Sequence, residues 1–253
     1  MNEPALNYRV VGDGNPLLLI HGFGISFNIW RNLTPRLSTH FRIVMIELPG
    51  IGESPMPANG QDYLSAAIEG IEGVRRSLGI EKWDVLGYSS GSRIAEAYVR
   101  AQAGHVCRAI FLSPLKVNAY KVRGLQLAFR LEPSTPTLSN WILTGWRLKF
   151  LISWLGFNLM PDPLSNEWYA EISAAPMRVL KETIWMMIPV AAKPFSAPVP
   201  FAMIWGDRDI VPDRPRKRDA HDYFVHGMHS APVEAAEEVA KTIFRYVKRF
   251  NHK

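Results

Sequence analysis

Two serines stand side by side in "VLGYSSGSRIAEAYVR" (Val85–Arg100), with glycines at Gly87 and Gly91. A Gly-x-Ser-x-Gly run that ends an apolar, β-branched stretch and opens a helical one builds a tight strand-to-helix turn. That turn lifts its central hydroxyl off the sheet edge. It strains the serine backbone and crowds the positions two residues to either side, which only very small side chains tolerate. Those positions are Gly87 and Gly91 for Ser89, but Tyr88 and Ser92 for Ser90. Ser89 is therefore the expected nucleophile. Ser90 is then expected to turn its backbone N–H toward an oxyanion, helped by the field of the helix N-terminus.

A serine hydroxyl needs a base within hydrogen-bond reach and a group that orients the base. Of seven histidines, His229 follows the apolar run "DYFVHG" and precedes the last helical segment. That puts it on a loop at the carboxyl edge of a sheet, where ligand sites of open α/β sheets lie. His226 stands at the strand end and reads as a capping or packing residue. His105, His221 and His252 read as surface residues, and His40 as a loop residue. For the orienting acid, "WGDRDIVP" offers Asp207 and Asp209 directly after the strand "FAMIW", and spacing leaves both open. In "LLLIHGFG", Gly22 and Gly24 would let the chain fold back and aim the Phe23 N–H inward as a second oxyanion donor, with His21 bracing the turn. A phosphate-binding reading of that loop fails, since the third glycine and the acidic ribose partner are missing.

The elements that must carry these residues follow from the apolar pattern. "PLLLIHG", "FRIVMIELPG", "WDVLGYS" and "RAIFLSP" each end in Gly, Pro or Ser and read as buried parallel strands. Leu64, Ile68, Ile71, Val74 and Leu78 mark one face of a helix, with Asp62 as its N-cap and Gly79 as its stop. This alternation predicts an α/β fold with a doubly wound, mostly parallel sheet. From Leu115 to about Ala197 the strands stop, tryptophans 141, 146, 154, 168 and 185 punctuate helix-like stretches, and prolines cut the segment into several helices. The α/β pattern then resumes with "PFAMIWGD" and "DYFVHG" and ends in an amphipathic helix carrying Val233, Val239, Ile243, Phe244, Val247 and Phe250. The expected division is a core of residues 1–114 and 198–253 with an inserted helical lobe over 115–197.

The chain has 253 residues, 47% hydrophobic and 21% charged, an ordinary globular balance. A single cysteine, Cys107, excludes an intrachain disulfide and fits a reducing compartment. "MNEPALNYRVVGDG" has neither a basic nor an apolar leader region, so no signal peptide and a cytoplasmic location are expected. No membrane span is expected either: the nearest candidate, "WILTGWRLKFLISWLGFNL", is interrupted by Arg147 and Lys149. The net charge of +6 mildly favours anionic partners. No basic run interleaved with aromatics and no zinc-ligand spacing is present, so nucleic acid is not an expected partner.

In this order the pieces resemble the α/β-hydrolase superfamily, in its small, cap-bearing, esterase-like branch. The residues that carry the resemblance are "HGFG" (His21 to Gly24), "ELPGIGES" (Glu47 to Ser54), "GYSSG", "WGDRDIVP" and "HGMHSAPVE" (His226 to Glu234). The family pattern sets the acid at the fourth position of Gly-x-x-Asp, which favours Asp209 and leaves Asp207 as a turn residue bonded to its own loop. It implies a triad in the chain order Ser89, Asp209, His229, with Phe23 and Ser90 as oxyanion donors and the inserted lobe as a cap. Departures are Ser92, where glycine is usual and where the helix is expected to stand farther from the sheet, and Met228, where glycine usually precedes the histidine. The helix usual between acid and histidine is expected to shrink to a turn.

The resemblance implies acyl transfer to water without metal or organic cofactor. The cap's apolar residues imply a small substrate with an apolar acyl or aromatic group. Lys116, Lys121, Arg123, Arg130, Arg147 and Lys149 make the lobe basic, which suits an acidic carrier protein or a coenzyme-linked thioester. Carboxylic esters are the expected substrates. A thioesterase, a carbon–carbon bond hydrolase and a perhydrolase share the triad, and a small-ligand receptor on a hydrolase scaffold is the non-enzymatic alternative.

Overall fold

The computed structural model of the chain describes residues 6–116, 162–215 and 219–250. The apolar runs form one seven-stranded sheet: β1 (Tyr8–Val11), β2 (Asn15–Ile20), β3 (Phe41–Ile46), β4 (Trp83–Tyr88), β5 (Val106–Leu112), β6 (Phe201–Gly206) and β7 (Asp222–Val225). Its spatial order is β1-β3-β2-β4-β5-β6-β7. The short edge strand β1 is antiparallel to β3, and every other neighbouring pair is parallel.

Successive strand residues point to opposite faces, and both faces are covered. Leu17, Leu19, Ile43, Met45, Leu86, Ile110 and Leu112 enter one core, together with the helices α1 (Thr34–Leu37), α6 (Ala231–Glu234) and α7 (Ala236–Lys248). Leu18, Ile20, Val44, Ile46, Val85 and Phe111 enter the other, together with α2 (Tyr63–Ser77) and α3 (Gly91–Ala101). Each fully buried aliphatic side chain contributes about 1.5–3 kcal/mol, and the two-sided burial explains why the strands read as unbroken apolar runs.

The expected limits of α2 are observed. The Asp62 carboxylate accepts the Ser65 N–H at 2.9 Å, and Gly79 leaves the helix at φ +63°. The closing helix differs from expectation. At Ala235 the backbone leaves helical geometry (φ −115°), which splits it into α6 and α7. Val233 belongs to α6, while Val239, Ile243 and Val247 line the buried side of α7.

Between β5 and β6 the described residues contribute α4 (Asp162–Ala174) and α5 (Met177–Met187). Trp168, Ile172, Val179 and Leu180 of these helices are buried. Tryptophans 141, 146 and 154, the apolar stretch 141–159 and the basic residues 121–149 lie outside the described residues. Among the described residues no helix is long and apolar enough to cross a membrane, and none lies between Asp209 and β7.

β4 and β5 are also joined by charge. Arg108 lies 2.8 Å from the buried Asp84 carboxylate and donates to Val247 O at 3.1 Å, so one guanidinium ties two strands to α7. Removing one partner of such a pair leaves a buried charge. Asp84→Ala is expected to destabilise the fold by about 3–5 kcal/mol, read from the urea midpoint. A loss under about 1 kcal/mol would show that Arg108 is solvated without Asp84.

Candidate active site

β4 ends at Tyr88 and α3 begins at Gly91, so the chain reverses within two residues. Ser89 sits at φ +53°, in the left-handed region that favours glycine. The flanking glycines make this geometry accessible. A Cβ on Gly87 would stand 2.6 Å from Ala95 Cβ and 2.7 Å from Ser92 Cα, and a Cβ on Gly91 would stand 2.1 Å from His21 O. Ser92 does not relax that contact: its side chain is fully buried, and its backbone is among the atoms nearest to Gly87.

The turn delivers the Ser89 hydroxyl to the loop after β7. Ser89 Oγ lies 2.9 Å from His229 Nε2, and His229 Nδ1 lies 2.9 Å from Asp209 Oδ2. All three side chains are buried. The other Asp209 oxygen accepts the Val211 N–H at 3.0 Å. A carboxylate only accepts, so Nδ1 carries the proton and Nε2 is left to accept from Ser89. The arrangement can therefore move a proton from Ser89 to His229 while the neighbouring carboxylate stabilises the imidazolium.

Asp207 lies outside this chain of contacts, and its partners differ from expectation. Rather than closing its own loop, it reaches the neighbouring strand end, 2.9 Å from His226 Nδ1 and accepting the Gly227 N–H at 3.1 Å. The parallel pairing of β6 with β7, Gly206 opposite Val225, sets the two loops side by side. His226 also donates its backbone N–H to Glu238.

Two further residues, both inside the quoted motifs but with no role read from the sequence, hold the histidine loop. Tyr88 donates its hydroxyl to His229 O at 2.8 Å, so the residue before the nucleophile holds the backbone of the histidine loop. Burial pushes the Tyr88 phenol well above its ordinary range, which keeps it a donor. Glu234 accepts the Met228 N–H and fixes the same loop from α6.

The glycine turn after β2 lies directly over the elbow: a Cβ on Gly22 would stand 3.2 Å from Ser89 Cβ. Among the described residues, neither the Phe23 nor the Ser90 N–H donates to a protein acceptor. His21 braces the turn from below, with Nδ1 donating to Gly22 O and Nε2 accepting the Leu48 N–H, both at 2.9 Å. From above, Glu171 of α4 accepts the Ser26 N–H at 3.0 Å, while the Ser26 hydroxyl donates to buried Glu47. A cavity of about 570 Å³ lies on the acid side of the site, lined by Asp209, Ile210, Pro212, Asp213, Arg214, Pro215 and Phe224. Among the described residues no group of three or more His, Cys, Asp or Glu side chains is placed to hold a metal ion.

Burial lowers the His21 pKa to about 4, against the opposing hydrogen bond to Gly22 and the field of Glu47. A folded-state pKa below the unfolded value means that the unfolded chain binds more protons between pH 6.5 and 4. Stability from this group is thus complete above pH 6.5 and is lost as pH falls, by about 3 kcal/mol in all. Urea denaturation at pH 7, 5.5 and 4 should show this slope in the wild type and a shallower one in His21→Asn. Equal slopes would contradict a buried neutral imidazole.

The sequence profile of the family described as alpha/beta hydrolase fold matches residues 15–211. A 2-hydroxy-6-oxo-2,4-heptadienoate hydrolase of Pseudomonas putida is 27% identical over 135 residues, 52% of this chain and 49% of that protein. A pimeloyl-[acyl-carrier protein] methyl ester esterase of Pectobacterium atrosepticum is 42% identical over 60 residues, 22% of this chain and 24% of that protein. The chain thus spans about half or less of the length of these curated relatives. Proteins named as a soluble epoxide hydrolase and a fluoroacetate dehalogenase match as well, so the family leaves the bond cleaved open. A solved mutant of the meta-cleavage product hydrolase from Pseudomonas fluorescens superimposes with a TM-score of 0.71 at 20% identity, covering 96% of this chain and 94% of that one. With the matched profile covering most of its length and this sheet beneath it, the chain belongs to the alpha/beta hydrolase superfamily.

Proposed function

We propose that the chain is a serine hydrolase that cleaves a carboxylic ester, or a related acyl bond, of a small, largely apolar substrate through an acyl-enzyme. The observation that carries this reading is the buried run Asp209–His229–Ser89, with 2.9 Å at each side-chain contact. His229 takes the Ser89 proton as Oγ attacks the carbonyl carbon, then gives it to the departing alkoxide. It next takes a proton from water, whose hydroxide attacks the acyl carbon, and the proton returns to Ser89 as the acid leaves. Asp209 fixes the imidazole tautomer throughout.

The oxyanion is assigned to the N–H groups of Phe23 and Ser90, each such donor contributing about 3 kcal/mol to the barrier reduction. The nearness of Gly22 to Ser89 supports the first, and the position of Ser90 as N-cap of α3 supports the second. Residues 115–197 act as a cap on the hydrolase core, and the buried apolar residues of α4 and α5 support an apolar acyl or aromatic substrate group. The chemistry needs no metal or organic cofactor, and the cytoplasm suits a chain with one free cysteine, Cys107.

One second reading has a specific observation behind it. The heptadienoate hydrolase match favours cleavage of a carbon–carbon bond next to a carbonyl by the same three residues. Epoxide and carbon–halogen chemistry of this fold runs through an aspartate nucleophile, and Ser89 stands in that place.

Steady-state kinetics on p-nitrophenyl esters of two to eight carbons, with a 2-hydroxy-6-oxo-dienoate run in parallel, tests the proposal. Ester turnover is expected, falling at least about 10³-fold in Ser89→Ala with an unchanged melting temperature. Equal ester activity in Ser89→Ala would refute the reading, and turnover of the dienoate alone would move it to the carbon–carbon bond.

A further inference from the structure

Ser92 is fully buried in the first turn of α3. Its hydroxyl donates back to the Ser89 carbonyl, three residues earlier. The same oxygen accepts the Leu115 N–H at 3.1 Å. The Ser89 carbonyl also receives the Ser92 N–H at 3.0 Å and lies 3.3 Å from the Leu115 nitrogen. Three donors thus converge on the carbonyl of the residue whose φ is +53°. On its other side, the Ser89 N–H donates to Leu112 O at 3.0 Å. Both peptide groups of Ser89 are therefore fastened to the chain leaving β5.

The neighbouring residue continues the fastening. Arg93 donates to Leu115 O at 3.0 Å and to Lys193 O at 2.7 Å. It pairs at 2.8 Å with Glu96, which accepts the Ser196 N–H at 3.0 Å. Both flanks of the segment between β5 and β6 are held by one stretch of α3. Of these side chains, Ser92 is the one that reaches the nucleophile's own carbonyl, because a hydroxyl on the second helical residue can bond back to the i−3 carbonyl. Glycine or alanine there would keep the backbone N–H bond to the Ser89 carbonyl but lose the hydroxyl that donates to Ser89 and accepts from Leu115.

We propose that Ser92 is a positioning residue for the nucleophile. It locks the Ser89 backbone to the start of the β5–β6 segment at Leu115, so that Oγ stays 2.9 Å from His229 Nε2. The inference rests on the serine-hydrolase reading. Rotation of the Ser89 peptide swings Cβ and Oγ away from the imidazole, and small misplacements of reacting groups have large kinetic effects.

The test compares wild type, Ser92→Ala and Ser92→Thr on p-nitrophenyl acetate and octanoate, with the rate at which a small fluorophosphonate modifies Ser89. Ser92→Ala is expected to lower kcat about 5- to 50-fold on both esters with KM within about twofold, and to slow phosphonylation by the same factor. Ser92→Thr, which keeps the hydroxyl, should recover most of the loss. Amide exchange of peptides covering Ser89–Ser92 and Leu112–Lys116 should rise together in Ser92→Ala. If that variant does not fold, Ser92→Cys, with weaker hydrogen bonds at similar volume, carries the same comparison. Unchanged kcat on both esters, a KM effect confined to octanoate, or Ser92→Thr no better than Ser92→Ala would each overturn the proposal. A wild type left unmodified by the phosphonate would overturn the hydrolase reading instead. The exchange comparison still decides the coupling in that case, and unchanged exchange at both peptides would sink it.

Discussion

No atom larger than hydrogen fits between the first turn of α3 and the end of β2. A Cβ on Gly91 would stand 2.1 Å from His21 O. This close approach lets the chain reverse between β4 and α3, and it leaves Ser89 in a left-handed conformation that a non-glycine residue occupies at about 1–2 kcal/mol. A strained residue keeps such a geometry only where its surroundings over-determine it. Here they do: Leu112 O accepts its N–H, and Ser92 and Leu115 both donate to its carbonyl. The two-sided core beneath makes the sheet stiff enough to hold the turn.

Two histidine–aspartate pairs sit on adjacent loops, and distance does not tell them apart, for both close at 2.9 Å. Burial does. The side chains of His226 and Asp207 are 67% and 43% exposed, whereas those of His229 and Asp209 are 2% and 0% exposed. A water-screened pair contributes about 0–1 kcal/mol and serves to align two loop stems. A pair removed from water interacts more strongly and is held in one orientation. It also meets Ser89, whose proton His229 Nε2 is placed to accept.

The fold was readable because both faces of the sheet are covered, so the strands appear as unbroken apolar runs, and because Asp62 and Gly79 punctuate α2 by local chemistry. Glycine spacing singles out Ser89 and the place after the last strand singles out His229, two side chains that the structure sets 2.9 Å apart. The two aspartates of "WGDRDIVP" differ by two residues on one loop, and residue spacing leaves both open; the Gly-x-x-Asp pattern of the resemblance favours Asp209, and the contact that distinguishes it is with a loop 20 residues away. Tyr88 to His229 and His21 to Leu48 likewise join segments far apart in the chain. Such contacts are products of the folded sheet, and no periodicity announces them. The split of the closing helix at Ala235 was hidden for a related reason, since its residues have ordinary helical propensity and the break lies in backbone geometry.

In the proposed reaction Ser89 is acylated in turnover, and rapid acid quench followed by peptide mass analysis reads that step directly. Mixed with excess p-nitrophenyl octanoate and quenched within the first turnovers, the protein should carry one octanoyl group on Ser89, absent in Ser89→Ala. Ester hydrolysis with the acyl group on Ser90, on a carboxylate or on no residue at all would contradict the account.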